Sequence, residues 1–264
     1  MTQRGRRFPP VPVVAVALVA VVFFALPLVG ILQRAEWGSL LDDLRSPDAT
    51  RALRLSVVTS LASAAVAVLF GTPLAWVLAR AELPGRGILR GLVLLPMVLP
   101  PVVGGVALLS AFSLRSPLGG WLHDVFGLQL TFHPAGVVLA ETFVAMPFFV
   151  ITLEAALRNM DQRYEELAAG LGASRWTVFR RVTLPMILPS VAAGAVLAWA
   201  RALGEFGATI TFAGNIAGRT RTLPLAVYLQ LESDPDAAIA LSLVLLAVSF
   251  AVLVGLRDKW LVRA

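Results

Sequence analysis

The chain has 264 residues, 58% hydrophobic and only 14% charged, with a mean hydropathy of +0.82, where an ordinary soluble domain carries about 25% charged residues. That balance excludes a soluble globular enzyme and reads as an all-α integral membrane protein. The net charge of +6 comes almost wholly from arginine, Lys259 being the one lysine, and in such a chain the excess marks cytoplasmic loops beside anionic lipid rather than a nucleic-acid surface. With no cysteine, disulfides, thiolate chemistry and Cys-ligated metals are excluded.

Crossing a hydrocarbon core of about 30 Å takes about 20 mostly apolar residues. Six stretches qualify, near Pro12–Leu32, Leu55–Leu78, Ile88–Phe112, Gly136–Leu157, Met186–Ala213 and Ala237–Leu256. Arg4, Arg6 and Arg7 give the first a signal-like basic start, but its apolar run exceeds the roughly 7–15 residues of a cleaved leader, so it reads as a retained span. In the loop that follows, Ser46, Pro47 and Asp48 form a helix-start pattern, predicting a short interfacial helix. Pro96, Pro100 and Pro101 each lack an amide donor and predict a broken third span beside a pathway. Between the third and fourth spans, His123, Asp124 and His133 have the residue types of a zinc site. Asp124 adjoins only one of the histidines, however, and solvated loop residues are the preferred reading. Ser110 and Ser113 have no base nearby in sequence and no hydrolase motif.

Taking alternate loops as cytoplasmic from the N-terminus places Arg4, Arg6, Arg7, Arg80, Arg86, Arg90, Arg158, Arg163, Arg175, Arg180, Arg181, Arg257, Lys259 and Arg263 inside. Outside fall Arg34, Arg45, Arg51, Arg54, Arg115, Arg219 and Arg221. The larger group marks the cytoplasmic side, so both termini are predicted there. No internal repeat or appended soluble domain is evident, and residues 1–264 read as a single transmembrane domain.

The loop between the fourth and fifth spans is longer than the roughly 2–8 residues that join helices in bundles. Within it, "YEELAAGL" is rich in helix formers, Gly172 supplies a break, and Ser174 is a plausible N-cap for "RWTVFRRV", with Trp176 and Phe179 one turn apart. Two short helices meeting at a glycine elbow are predicted. On composition alone, such an elbow suits either the membrane surface or a groove in a partner.

These residues resemble the EAA motif of binding-protein-dependent ABC importers: Glu166, Ala168, Gly172, Val182, Leu184 and Pro185 stand at its positions, with Leu167 replacing the first alanine and Val182 the usual isoleucine. The resemblance implies a type I ABC importer permease fold whose coupling helix, within about residues 163–185, docks on a separate cytoplasmic ATPase. Its coupling residues would be Glu166, Ala168, Gly172, Ala173, Ser174, Arg175, Trp176, Leu184 and Pro185. It also implies a second permease copy, a homodimer being the simplest form, with two ATPase subunits that bind ATP and Mg, and an extracytoplasmic oxyanion-binding protein. The implied location is a prokaryotic cell membrane. Lys259 follows "VGLRD" rather than a glycine-rich loop, so no P-loop is present and ATP hydrolysis falls to the partner.

In the fifth span, "AWARALGEFGATITFAGN" sets Arg201 and Glu205 four residues apart on a predicted helical face, about 18 Å in from Pro189. An isolated charge at such depth costs about 2.5–3.5 kcal/mol, so the two should pair or face water, and both structural pairing and a pathway role stand open. Ala200, Gly204 and Ala208 form a small-residue stripe for close helix packing, and Thr209, Thr211 and Asn215 continue outward as candidate neutral donors or self-bonded residues. Pro100 and Pro101 complete the pathway candidates. Together with "LLPMVLPPVVGGVALL" and "GRTRTLPLAVY", this span resembles the molybdate branch of these permeases, with tungstate not separable. Sulfate permeases, which typically have tyrosine where this chain has Phe206, are the competitor, and a secondary transporter is the other class that uses midplane charges and broken helices.

Overall fold

The computed structural model describes residues 10–261, so Arg4, Arg6, Arg7 and Arg263 lie outside the described residues. Helices follow one another as α1 (Val11–Arg34), α2 (Leu40–Arg45), α3 (Pro47–Arg80), α4 (Arg86–Val98), α5 (Pro101–Phe112), α6 (Pro117–Phe126) and α7 (Pro134–Asn159). Next come α8 (Arg163–Gly170), α9 (Arg175–Val178), a π-helical turn (Phe179–Thr183), α10 (Leu184–Leu203), α11 (Gly207–Ala213), α12 (Leu223–Ser233) and α13 (Pro235–Leu261). Among the described residues, five helical runs are long and apolar enough to cross a membrane, and the α4–α5 pair makes a sixth if counted as one.

Ser46 does cap a helix, its hydroxyl accepting from the Ala49 amide at 3.3 Å, but that helix is α3 itself. The short separate helix precedes it as α2. Arg51 and Arg54 interrupt the apolar pattern, so hydropathy starts this span near Leu55 although the backbone ladder starts about two turns earlier.

The bundle is organised around α3, α7 and α10. Lipid offers no hydrophobic drive between helices, so close packing and hydrogen bonds must hold them together. One face of α3 buries Ser56, Ser60, Ser63, Ala67, Gly71 and Ala75, all small enough for near backbone approach. The same face is polar at its outer part. Ser60 accepts from Trp199 Nε1 at 2.9 Å, Ser63 accepts from Thr142 at 3.1 Å, Thr59 donates to Glu141 Oε1 at 2.9 Å, and Ser56 accepts from the Leu223 amide at 2.6 Å. Further in, the fully buried Phe149 ring is wedged between two glycines. A β-carbon at Gly71 would fall 2.6 Å from its Cδ1, and one at Gly194 3.1 Å from its Cδ2. By contrast α1 buries none of its residues, as expected of a helix facing lipid.

Candidate functional site

The predicted elbow is present. Chain direction changes at Gly172, whose φ of +86° lies in the left-handed region, and the amides of Gly172 and Ala173 close the end of α8 on the carbonyls of Ala169 and Ala168. Ser174 then caps α9, accepting from the Thr177 amide at 3.2 Å. Trp176 stacks on Phe179 with ring centroids 5.7 Å apart. The elbow presents apolar groups outward: Leu171 is 90% exposed, Trp176 67% and Leu167 66%. Glu166 and Arg175 are also exposed, while Ala168 and Ala173 are half-buried. The motif's Leu184–Pro185 begins α10, with Leu184 packed on the main core. Pro185 has no amide to give the preceding turn, and the backbone adapts by widening, the Leu184 amide reaching back to Phe179 in the π-helical turn. Through that turn the elbow runs into the fifth span without a loop.

Sequence reasoning missed what anchors this segment. Glu165, the neighbour of the motif glutamate, accepts from Thr183 Oγ1 at 2.6 Å and pairs with Arg80 at 3.4 Å. Nearby, the buried Glu154 pairs with Arg158 at 2.7 Å and Arg90 at 3.4 Å, and Arg158 also donates to the Leu78 carbonyl at 3.4 Å. Arg80, Arg90 and Arg158 thus gather at one end of the bundle, whereas Asp48, Arg51 and Arg221 lie around the start of α3, about 50 Å away along that helix. These groupings agree with the predicted division of charges between the two sides.

Two spans are broken, and their breaks face each other. α4 and α5 meet at a bend of 118° across Leu99–Pro100, with Pro101 opening α5. At about 20 Å and 18 Å long, neither half crosses a bilayer alone. The fifth span was predicted continuous to Ala213, but α10 stops at Leu203 and α11 starts at Gly207. A β-carbon on Gly207 would lie 2.7 Å from Pro101 Cβ, and one on Gly105 would lie 2.6 Å from Thr211 Cβ. Close packing is therefore made by Gly105, Gly207 and Ala208. The predicted Ala200–Gly204–Ala208 stripe does not form, because Gly204 sits exposed at the break.

At that break Arg201 and Glu205 pair at 2.7 Å. Glu205 is buried and its other oxygen accepts from the Ala208 amide at 2.9 Å, tying α11 to the end of α10. Arg201 keeps 29% of its side chain exposed. Thr209 is buried, Thr211 bonds back to the Gly207 carbonyl at 2.8 Å, and Asn215 accepts from Arg221 at 2.9 Å. The pair and the two proline-bearing residues therefore come together at the apposed breaks, whereas Asn215 is engaged elsewhere. His133 caps α7, its Nδ1 accepting from the Ala135 amide at 3.3 Å, and the His123 side chain meets Asp124, so the three do not converge. Ser110 bonds back to the Val106 carbonyl and Ser113 ends α5.

The pattern of the family "Binding-protein-dependent transport system inner membrane component" matches residues 67–263. The chain belongs to this family. It is 52% identical over 245 residues to the molybdenum transport system permease protein ModB of Mycobacterium tuberculosis, covering 92% of each chain. Against ModB of Escherichia coli the identity is 42%, over 79% of this chain and 93% of the other. The sulfate transport system permease protein CysT of Escherichia coli is 36% identical over 86% of this chain and 82% of its own. In fold, the chain is similar to a bacterial ABC transporter involved in the import of the acidic polysaccharide alginate, with TM-score 0.73 and 19% identity, covering 96% of each chain. It is thus a multi-pass membrane protein with the fold of an ABC importer permease.

Proposed function

We propose that the chain forms the translocation pathway of an ATP-driven importer of molybdate, with tungstate as an equivalent cargo, and that it hydrolyses no ATP itself. The observation that carries the machine is the elbow: exposed Leu167, Leu171 and Trp176 on a helix pair continuous with a broken span. Such a surface fits a cleft on a cytoplasmic ATPase carrying ATP and Mg. Two permease copies, two ATPases and an extracytoplasmic oxyanion-binding protein complete the assembly, with both permease termini in the cytoplasm. The substrate reading rests on identity to molybdenum permeases of 42–52%, against 36% for the sulfate permease.

ATP-driven closure of the ATPases draws the elbows together, and each elbow turns its fifth span. The apposed breaks at Pro100–Pro101 and Gly204–Phe206 let the inner and outer halves of two spans reorient separately, giving alternating access. Arg201, neutralised by Glu205 yet partly exposed, attracts an oxyanion without trapping it, since a pathway must bind weakly enough to release. ATPase activity of the chain reconstituted with its ATPase and binding protein tests this. Stimulation by molybdate or tungstate and not by sulfate is expected. Stimulation by sulfate alone would reassign the cargo, and failure to bind any ATPase would overturn the importer reading in favour of a secondary transporter.

A further inference from the structure

We infer that Glu165, and not only the motif glutamate beside it, is the positioning residue through which movement of the elbow reaches the spans. The proposal rests on the coupling role given to the elbow above. α8 packs chiefly on the π-helical turn and on α9, and its link to α9 runs through Gly172, the residue type with the widest backbone freedom. A push on α8 transmitted by the chain alone would be absorbed there. Glu165 bypasses the turn. Its carboxylate grips Thr183, which is buried in the π-helical turn at the root of α10, and Arg80, at the cytoplasmic end of α3.

Both partners are largely buried. Arg80 has only 10% of its side chain exposed, its guanidinium nitrogens make no hydrogen bond, and among the described residues the Glu165 carboxylate at 3.4 Å is its one counter-charge contact. Thr183 is 1% exposed and part of the widened turn that Pro185 demands. One carboxylate thus ties α8 to α3 and to α10, and α3 and α10 are the two helices that flank Phe149 in the main core. Glu166, by contrast, is exposed and free to face a partner. The two adjacent glutamates divide the work, one reaching outward and one inward.

The groove between these elements, about 400 Å³, is lined by Trp76, Arg80, Glu165, Glu166, Arg175 and Thr183 among others. Arg175 is the other cation in it, and it makes no ion pair with Glu165. Arg80 is therefore the partner whose exchange should matter.

The test uses the full complex in proteoliposomes with molybdate, measuring ATP hydrolysed per oxyanion taken up, together with co-purification of the ATPase. Glu165→Gln and Arg80→Gln are expected to keep co-purification and to raise the ATP used per molybdate by about threefold or more, the scale on which residues between two coupled sites act. Thr183→Val should act in the same direction. The exchange Arg80→Glu with Glu165→Arg should recover part of the loss, which a defect independent of their pairing would not, and unchanged co-purification and Tm in the single variants separate lost coupling from lost structure. An unchanged ratio in both single variants would overturn the proposal. Loss of co-purification in Glu165→Gln that the exchange does not restore would overturn it too, by assigning Glu165 to the ATPase contact itself. If the unaltered chain binds no ATPase, the coupling reading fails and this proposal falls with it.

Discussion

Two glycines at the elbow, Gly170 and Gly172, are a natural pair for measuring how much the backbone turn contributes. A β-carbon added at either meets nothing within 4 Å, so no clash complicates the comparison. Gly172 has φ of +86°, whereas Gly170 is the last helical residue of α8. In the left-handed region an L-residue costs about 1–2 kcal/mol, equivalent to a factor of about 5–30 in the population of the bent form. Alanine in a helix is instead favoured over glycine, by up to about 1 kcal/mol. Gly172→Ala should therefore lower ATP-driven uptake by about that factor of 5–30 if the bent form alone engages the ATPase. Gly170→Ala should leave uptake intact and raise Tm slightly. Gly172→Asn should fall between, because asparagine tolerates positive φ, and Gly172→Pro, with φ fixed near −65°, should abolish coupling or assembly. Uptake and thermal unfolding of the purified complex measure both quantities. Equal behaviour of Gly170→Ala and Gly172→Ala would refute the reasoning, since only the dihedral angle distinguishes them.

At the third-span break, Pro100→Ala and Pro101→Ala should impair uptake while leaving folding and ATPase binding intact; normal transport by both variants would remove the break from the mechanism. Gly207→Ala forces a methyl to within 2.7 Å of Pro101, and overpacking of this kind costs about 1–3 kcal/mol, so Tm should fall and uptake with it, whereas Gly204→Ala at the open break should be mild. Removing Arg201 leaves the buried Glu205 unpaired, a change worth about 3–5 kcal/mol in soluble cores. Arg201→Met should consequently express poorly, and adding Glu205→Gln should recover the folded protein without recovering uptake; recovery of both would make the pair purely structural.

The spans were legible because about 20 apolar residues are needed to cross a bilayer, and the elbow was legible because Gly172 and Ser174 carry specific backbone roles. Where one signal masked another, the reading failed. Arg51 and Arg54 hid the first turns of α3, which hydropathy cannot see but the Ser46 cap announced. In the fifth span the four-residue spacing of Arg201 and Glu205 imitates a continuous helix, and the pair does form at 2.7 Å, yet the helix has already ended at Leu203. The helices α6 and α12 were missed, although Ser116–Pro117 is a helix-start pattern and Pro224 sits near the start of α12. The anchoring role of Glu165 had no local signal, because it depends on Arg80, which lies on α3 and far away in sequence. The same holds for Gly71 and Gly194, whose shared partner Phe149 is fixed only by tertiary packing.

Uptake of radiolabelled molybdate into proteoliposomes that contain this chain and its ATPase, with the binding protein added outside and ATP inside, is the most direct test of the account. Uptake that requires enclosed ATP, is competed by tungstate and is unaffected by excess sulfate is the predicted result. Uptake that proceeds without ATP on a proton gradient, or that sulfate abolishes while tungstate does not, would contradict it.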